Sequence, residues 1–308
     1  MNSRVAGMVA VLVVLAAATG VFAYRLAGDG GAPGAVLPVP SPGTPGSSTA
    51  STQPPGPGST LSPCQTGDAV RVRVLSLNLH GGRTKAGRPE LGRVATELRA
   101  WNSDLVLLQE VDRGRERTGG VDQAQRLARR LGFDAVYGPT RRFRPGSTGN
   151  AILSRWPVAD VARASLPHAR GAYRRGLVRA TIDIRGQAVD VFATHLDHVS
   201  PGLRRAQARA VAAKVRRSPR PVVLGGDLNA EPGMPATESL QRSGLVDGWS
   251  VVGRDDGLTV PAARPRRRID YVLADASFVP VRSTVLISLV SDHRAVRTTY
   301  DLLPRDCG

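Results

Sequence analysis

Residues 221–229 read PVVLGGDLN: an aliphatic run behind a proline passes through two glycines into Asp227, Leu228 and Asn229. Such a run is a short buried strand, and the polar residues stand at its end. Alone, Asp227-Leu228-Asn229 reads equally as an Asx turn. The same ending recurs outward along the chain. Residues 70–79 (VRVRVLSLNL) alternate and close on Asn78, and residues 104–108 (DLVLL) run into Gln109-Glu110. Residues 188–193 lead to His195, residues 268–273 carry Asp270, and Asp292-His293 precede a strand over 295–302. Strands are also predicted over 150–153 and 176–184. Helices are predicted over 89–101, 122–131 and 203–215, where apolar residues recur at helical spacing. Taken singly, Glu110 reads as a solvated strand end and His195 as a satisfied core histidine. The recurrence of Asp, Asn, Glu and His at strand ends points instead to one site, because sites are built on loops at the end of a rigid sheet.

The chain has 308 residues, 41% of them hydrophobic, and a formal net charge of +17. These values exclude fibrous and wholly disordered classes and allow one large domain or two ordinary ones. Residues 5–24 carry no charge, which makes residues 1–27 either a cleaved signal peptide or a retained membrane anchor. Residues 28–63 are mostly Gly, Pro, Ser and Thr and read as a disordered linker. The folded part is therefore residues 64–308, outside the cytoplasm, secreted or anchored to the cell membrane. It retains nearly all of the positive charge, which suits phosphate-rich polyanions or an anionic surface. Forty of the 42 basic residues are arginine, a skew that codon bias also produces. The only two cysteines, Cys64 and Cys307, bracket this domain, and an even pair in an exported protein reads as a disulfide.

The ordered motifs are Leu-Asn at 77–78, Gln-Glu-Val-Asp at 109–112, Gly-Asn-Ala-Ile-Leu-Ser at 149–154 and Thr-His-Leu at 194–196. Gly-Gly-Asp-Leu-Asn at 225–229, Arg-Ile-Asp-Tyr-Val at 268–272 and Ser-Asp-His at 291–293 complete the set. In this order they resemble the endonuclease/exonuclease/phosphatase superfamily, the deoxyribonuclease I-like metal-dependent phosphoesterases. The resemblance implies an α/β (α+β) fold, a four-layer αββα sandwich of two mainly antiparallel sheets with helices outside. It implies Glu110 as principal ligand of Mg²⁺, or of Mn²⁺, with Asn78 and Asp292 nearby, and oxygen donors without thiolates suit such hard cations. By the same resemblance Asp227 orients or deprotonates water and Asn229 donates to a phosphoryl oxygen. Asp270 pairs with His293, and His195 contacts the phosphate or assists the leaving group. Which histidine is the acid stays open.

If the first strand pairs antiparallel with the last so that Asn78 faces His293, the same register sets Cys64 opposite Cys307. Asn150 either reaches the phosphate or satisfies backbone groups. Arg268, with Arg266 and Arg267, leads into Asp270 and is expected to bind substrate. Arg141, Arg142 and Arg144 read as a solvated cluster, Arg174 and Arg175 are open between that and the substrate rim, and His80 and His198 read as bystanders. Trp249 reads as a packing anchor. The expected activity is an exported Mg²⁺-dependent phosphodiesterase, nuclease-like. A sphingomyelinase-like hydrolase of phospholipid head groups and a non-catalytic binding module on the same fold are the alternatives.

Overall fold

The computed structural model describes residues 68–84 and 86–304, all within the unit Thr60–Gly308. The leader or anchor expected at 1–27, the linker at 28–63, Cys64 and Cys307 lie outside the described residues. Among the described residues no helix is long and apolar enough to cross a membrane.

In chain order the elements are β1 (Val70–Asn78), α1 (Leu91–Trp101), β2 (Leu105–Arg113), α2 (Gln123–Leu131), β3 (Asp134–Arg142), β4 (Ser147–Ser154), β5 (Val158–Ser165), β6 (Gly176–Ile184) and β7 (Gln187–His195). They continue with α3 (Pro201–Val215), β8 (Val222–Asp227), α4 (Pro235–Gln241), β9 (Val246–Asp247), α5 (Gly248–Val252), β10 (Asp270–Ala274), β11 (Phe278–Leu286) and β12 (Ala295–Leu302). Helix ends follow local chemistry. Asp122 accepts the Gln125 N–H at 3.1 Å to start α2, and Gly132 in the left-handed region ends it. Ser200 caps α3 in the same way, accepting from Leu203, with Pro201 at the first helical position.

Two six-stranded sheets form, ordered β11-β12-β1-β2-β4-β3 and β5-β6-β7-β8-β10-β9. Three apolar clusters mark the three interfaces of a four-layer sandwich. One lies between the sheets, with Val72, Val74, Leu105, Leu107, Val191 and Val223. Another joins the first sheet to α1 and α2 through Leu75, Leu77, Val94, Leu98 and Leu127. The third joins the second sheet to α3 and α4 through Phe192, Leu224, Val211 and Leu240. Alternate residues of β1 serve different interfaces, as a strand's period of two requires. The expected fold class therefore holds.

Each sheet contains one parallel pair, β1 with β2 and β7 with β8, and the remaining pairings are antiparallel. Both parallel pairs point their carboxyl ends at the same edge of the sandwich, where polar side chains can gather. β1 pairs antiparallel with β12 as expected, but one residue out of the expected register: Ser76 faces Val296, not Ala295. His293 precedes β12 and reaches the site from a turn, so its position does not fix the ladder. A one-residue shift turns side chains to the other face of the sheet, so the ladder lends no support to the cysteine pairing.

Candidate active site

The strand ends bring most of the expected residues together. Asn78 ends β1, His195 ends β7 and Asp227 ends β8, while Asp270 begins β10 directly opposite Asp227. His195 and Asp227 are register partners across the parallel pair. Gly225, two residues before Asp227, lies against the other sheet: a Cβ there would lie 2.5 Å from Leu107 Cδ1 of β2. The glycine thus lets the sheets approach closely enough for Asn78 of one to touch Asp227 of the other.

Glu110 arrives by a different route. β2 does not stop at Leu108 but continues through a bulge between Leu108 and Val111, where Glu110 adopts φ 53°. The bulge re-aims a side chain that regular alternation would place elsewhere. Of the five non-glycine residues with positive φ among the described residues, His80, Glu110 and Asn229 flank the site, whereas Asn102 caps α1 and Arg185 turns a hairpin. Concentration of such strained backbone at one place is characteristic of a functional site.

Asp227 is the hub. Its Oδ2 accepts from Asn78 Nδ2 at 3.1 Å and lies 3.3 Å from His195 Nε2 and 3.9 Å from His293 Nε2. Its Oδ1 accepts the Asn229 N–H at 2.9 Å. Asn229 Nδ2 lies 3.1 Å from His195 Nε2 and donates to Leu196 O. Burial, then the neighbouring Asp270, raises the Asp227 carboxyl far above the usual carboxylate range. Burial, then Arg175 and His293, pushes His195 well below its ordinary value, so it is neutral. For His293 burial works against the charge, yet the ion pair and hydrogen bond to Asp270 prevail and raise it to about 10. His293 Nδ1 is 2.9 Å from Asp270 Oδ2.

A cavity of about 460 Å³ opens over these groups, lined by Asn78, Glu110, His195, Asp227, Asn229 and His293 on its floor. Arg115, Arg117, Arg141, Arg174, Arg175, Phe143, Tyr173 and His198 form its walls. Arg174 and Arg175 therefore belong to the rim, and Arg141 and His198 do too, against the expectation of a solvated cluster and a bystander. Arg115 and Phe143 gave no sequence signal. The chain before the next motif curls back over the site, and only the tertiary fold places it there.

Three expected site residues stand elsewhere. Arg268 turns away and pairs with buried Asp247 at 2.5 Å, its guanidinium 4.9 Å from the Tyr271 ring centroid; Arg267 likewise pairs with Glu231. Strand alternation would put Arg268 on the same side as Asp270, but Arg268 precedes β10 and the buried Asp247 carboxylate holds its guanidinium. Arg268 is thus corrected from substrate binding to packing. Asn150 is buried and its Nδ2 donates to Gly176 O at 2.9 Å, the backbone-satisfying alternative. Asp292, half-exposed, does not line the cavity; its Oδ1 lies 3.8 Å from His80 Nδ1. His80, read as a bystander, thus neighbours a proposed site residue without lining the cavity. Trp249 is buried, with its indole N–H on Asp255 O, as a packing anchor should be.

Two groupings could hold a cation. Asp227, Asp270 and His293 offer ligand atoms within 4.8 Å of one another, but His293 Nδ1 is engaged with Asp270 and the ring is held protonated, which disfavours ligation. Asn78 and Glu110 adjoin, with Asn78 Nδ2 3.4 Å from Glu110 Oε1 and Asn78 Oδ1 accepting the His80 N–H at 3.1 Å, so Glu110 is the ready oxygen donor and Asn78 joins it once its amide turns over. Glu110 has no ion-pair partner among the described residues. That pair fits a hard divalent ion.

Comparison with known proteins agrees with this geometry. The sequence profile described as the Endonuclease/Exonuclease/phosphatase family matches residues 75–293. The chain is 30% identical to YbhP of Escherichia coli (strain K12) over 216 residues, 65% of this chain and 83% of YbhP. It is 32% identical to Cwh43 of Schizosaccharomyces pombe over 157 residues, half of this chain but only 16% of that much longer protein. The crystal structure of an endonuclease/exonuclease/phosphatase from Beutenbergia cavernae superposes with a TM-score of 0.66 at 30% identity, covering 77% of this chain and 73% of the other. The motifs, the sandwich and the matched profile agree, and the chain belongs to the endonuclease/exonuclease/phosphatase family, whose members are hydrolases of phosphoester bonds.

Proposed function

We propose that this chain is an exported, Mg²⁺-dependent phosphodiesterase with nuclease-like activity. The observation that carries the reading is the convergence on Asp227 of Asn78, His195, Asn229 and the Asp270–His293 pair, beside Glu110 and beneath a wall of arginines. Glu110 and Asn78 would hold the ion, which when bound would neutralise charge on the phosphoryl and leaving oxygens. Mn²⁺ is an acceptable substitute for the same donor set.

The protein's own residues divide the remaining work. Asp227, made a stronger base by burial and the neighbouring Asp270, orients the attacking water and accepts its proton. Asn229 holds Asp227 through its backbone N–H and presents its amide to the phosphoryl group. His293, charged at neutral pH through Asp270, stabilises the developing oxyanion and is the proton donor. His195 is neutral and its Nε2 faces the Asn229 amide, so it positions Asn229 and is not the acid. Arg175 lies in the field of Asp227 and Glu110 and draws the substrate phosphate towards them.

The surplus of basic charge and the arginine walls favour nucleic acid, whose binding releases counterions, over a zwitterionic phospholipid head group. Export rests on the uncharged run at residues 5–24 and the linker behind it. The test is to offer the purified protein plasmid DNA, RNA, sphingomyelin and an aryl phosphodiester, with Mg²⁺ and then with chelator. Cleavage of DNA or RNA that chelator abolishes and rising salt suppresses is expected. Turnover of sphingomyelin alone would move the substrate to lipid, and no metal-dependent turnover at all would overturn the enzyme reading.

A further inference from the structure

One wall of the cavity is a ladder of alternating cations and rings. The Arg115 guanidinium lies 3.4 Å from the Phe143 ring centroid. Arg141 sits 4.7 Å from Phe143 and 4.6 Å from Tyr173. Tyr173 is 5.5 Å from the His198 ring, and Arg175 Nη2 lies 3.3 Å from His198 Nδ1. Stacking fixes the plane of a guanidinium and leaves its N–H edge to point into the cavity.

These arginines differ from the others around the site. Arg117 spends its charge on buried Asp112 at 2.7 Å. Among the described residues Arg115, Arg141, Arg174 and Arg175 have no carboxylate within ion-pair distance. The Nε atoms of Arg115 and Arg175 are buried without a hydrogen-bond partner. A fold does not gather unpaired cations around one cavity unless an anion offsets their repulsion. The scissile phosphate accounts for Arg175, which lines the same cavity as Asp227 and Glu110. It does not account for Arg115 and Arg141, which no contact joins to Asp227, Asn229 or His293. Arg141, Tyr173 and Arg174 also line a second cavity of about 760 Å³, together with Arg142.

We infer that this wall is a second anion subsite, which holds a phosphate of the substrate other than the one being cleaved, with Arg115 and Arg141 as its specificity residues. The inference rests on the phosphoesterase reading and narrows it to substrates with at least two phosphates. Phe143 and Tyr173 hold the guanidinium groups in place, and the subsite needs no base stacked on them. Recognition runs through phosphate oxygens, each arginine offering paired N–H donors, and is indifferent to the base or sugar attached. A nucleic-acid backbone and a phosphorylated inositol head group both present this chemistry.

The experiment compares kcat/KM for two matched pairs in Mg²⁺: the thymidine dinucleotide TpT against pTpTp, and glycerophosphoinositol against its 4-phosphate. The doubly or multiply phosphorylated member is expected to be preferred by about tenfold or more in at least one pair, the scale of one charge-assisted contact. The pair that shows the preference identifies the source. Arg141→Gln and Arg115→Gln should each bring the ratio towards one. Arg209→Gln, which removes the same charge from the exposed face of α3, should keep it. No preference in either pair, or a preference that survives both substitutions, overturns the subsite. Arg141 is exposed, so its variant folds even if the Arg115 variant does not. Calorimetric titration with inorganic tripolyphosphate in chelator gives a readout that needs no turnover. Binding to the wild type and its loss in Arg141→Gln support the subsite even if no substrate is cleaved, whereas absence of wild-type binding overturns it.

Discussion

His293 Nδ1 lies 2.9 Å from Asp270 Oδ2, and the contact joins the two sheets: Asp270 begins β10 of one, and His293 stands just before β12 of the other. A second contact of the same kind, Asn78 Nδ2 to Asp227 Oδ2, ties β1 to β8. The site exists only where the sheets meet, and each sheet supplies residues that are incomplete without the other.

The first pair controls a proton. With its folded value raised to about 10 against an ordinary 6.5, His293 contributes stability that is fully present below pH 6.5 and is lost as pH rises towards 10. Urea unfolding of the wild type should therefore show falling stability across this window. Asp270→Asn should flatten the slope, return the imidazole titration seen by NMR towards neutral pH, and lower turnover by about 10²–10⁴-fold. A wild-type imidazole that titrates near pH 6.5 would contradict the assignment.

Asp227 is held in a site that opposes its charge. Replacing it by Asn removes a buried carboxylate that faces Asp270 and keeps one acceptor oxygen, at the loss of one of the two hydrogen bonds from Asn78 Nδ2 and the Asn229 N–H. Asp227→Asn should raise the melting temperature by about 2–4 °C, the shift of roughly 1 kcal/mol in a domain of this size, while abolishing turnover. A variant that is less stable and fully active would refute both roles.

Gly225 sets the distance between the sheets. A methyl group there meets Leu107 Cδ1 at 2.5 Å, with Leu107 Cβ and Cγ close behind. Gly225→Ala should cost about 1–3 kcal/mol in urea unfolding, and the double variant with Leu107→Ala should lose less than the sum of the two separate losses.

Arg268 is a packing residue. Its salt bridge with Asp247 is buried on both sides, and burial pushes the Asp247 carboxyl up even beside the guanidinium. Arg268→Gln should destabilise by about 3–5 kcal/mol, because it leaves the carboxylate without its partner. The folded fraction should keep its KM; a raised KM with unchanged stability would restore Arg268 to the substrate.

How much of this was legible in the chain follows burial. The strands predicted over 176–184 and 295–302 match β6 and β12 end to end, since both lie inside a sheet and carry a clear apolar pattern. The strands without a sequence signal, β3, β5, β9 and β11, are the four edge strands. β5 shows no buried residue in VADVARAS, and β11 carries Pro280 beside a register shift. An edge strand is held by backbone pairing on one side and needs little apolar side chain, so its sequence looks like loop. Glu110 was expected at a strand end, but its actual setting is a bulge within a longer strand, which depends on Gly149 and Thr148 of β4 across the ladder.

The sequence by itself determined the family, the sandwich and the floor of the site, because Asn78, Glu110, His195, Asp227, Asn229, Asp270 and His293 sit at fixed places in local motifs whose side chains the strand geometry must deliver. The tertiary structure alone decided the walls. Arg115, Arg141, Phe143, Tyr173, Arg175 and His198 come from four separate segments outside the motifs, and only long-range packing shows which arginines find carboxylates and which are left lining the cavity. The same packing took Arg268 out of the site, through a buried partner that lies 21 residues upstream.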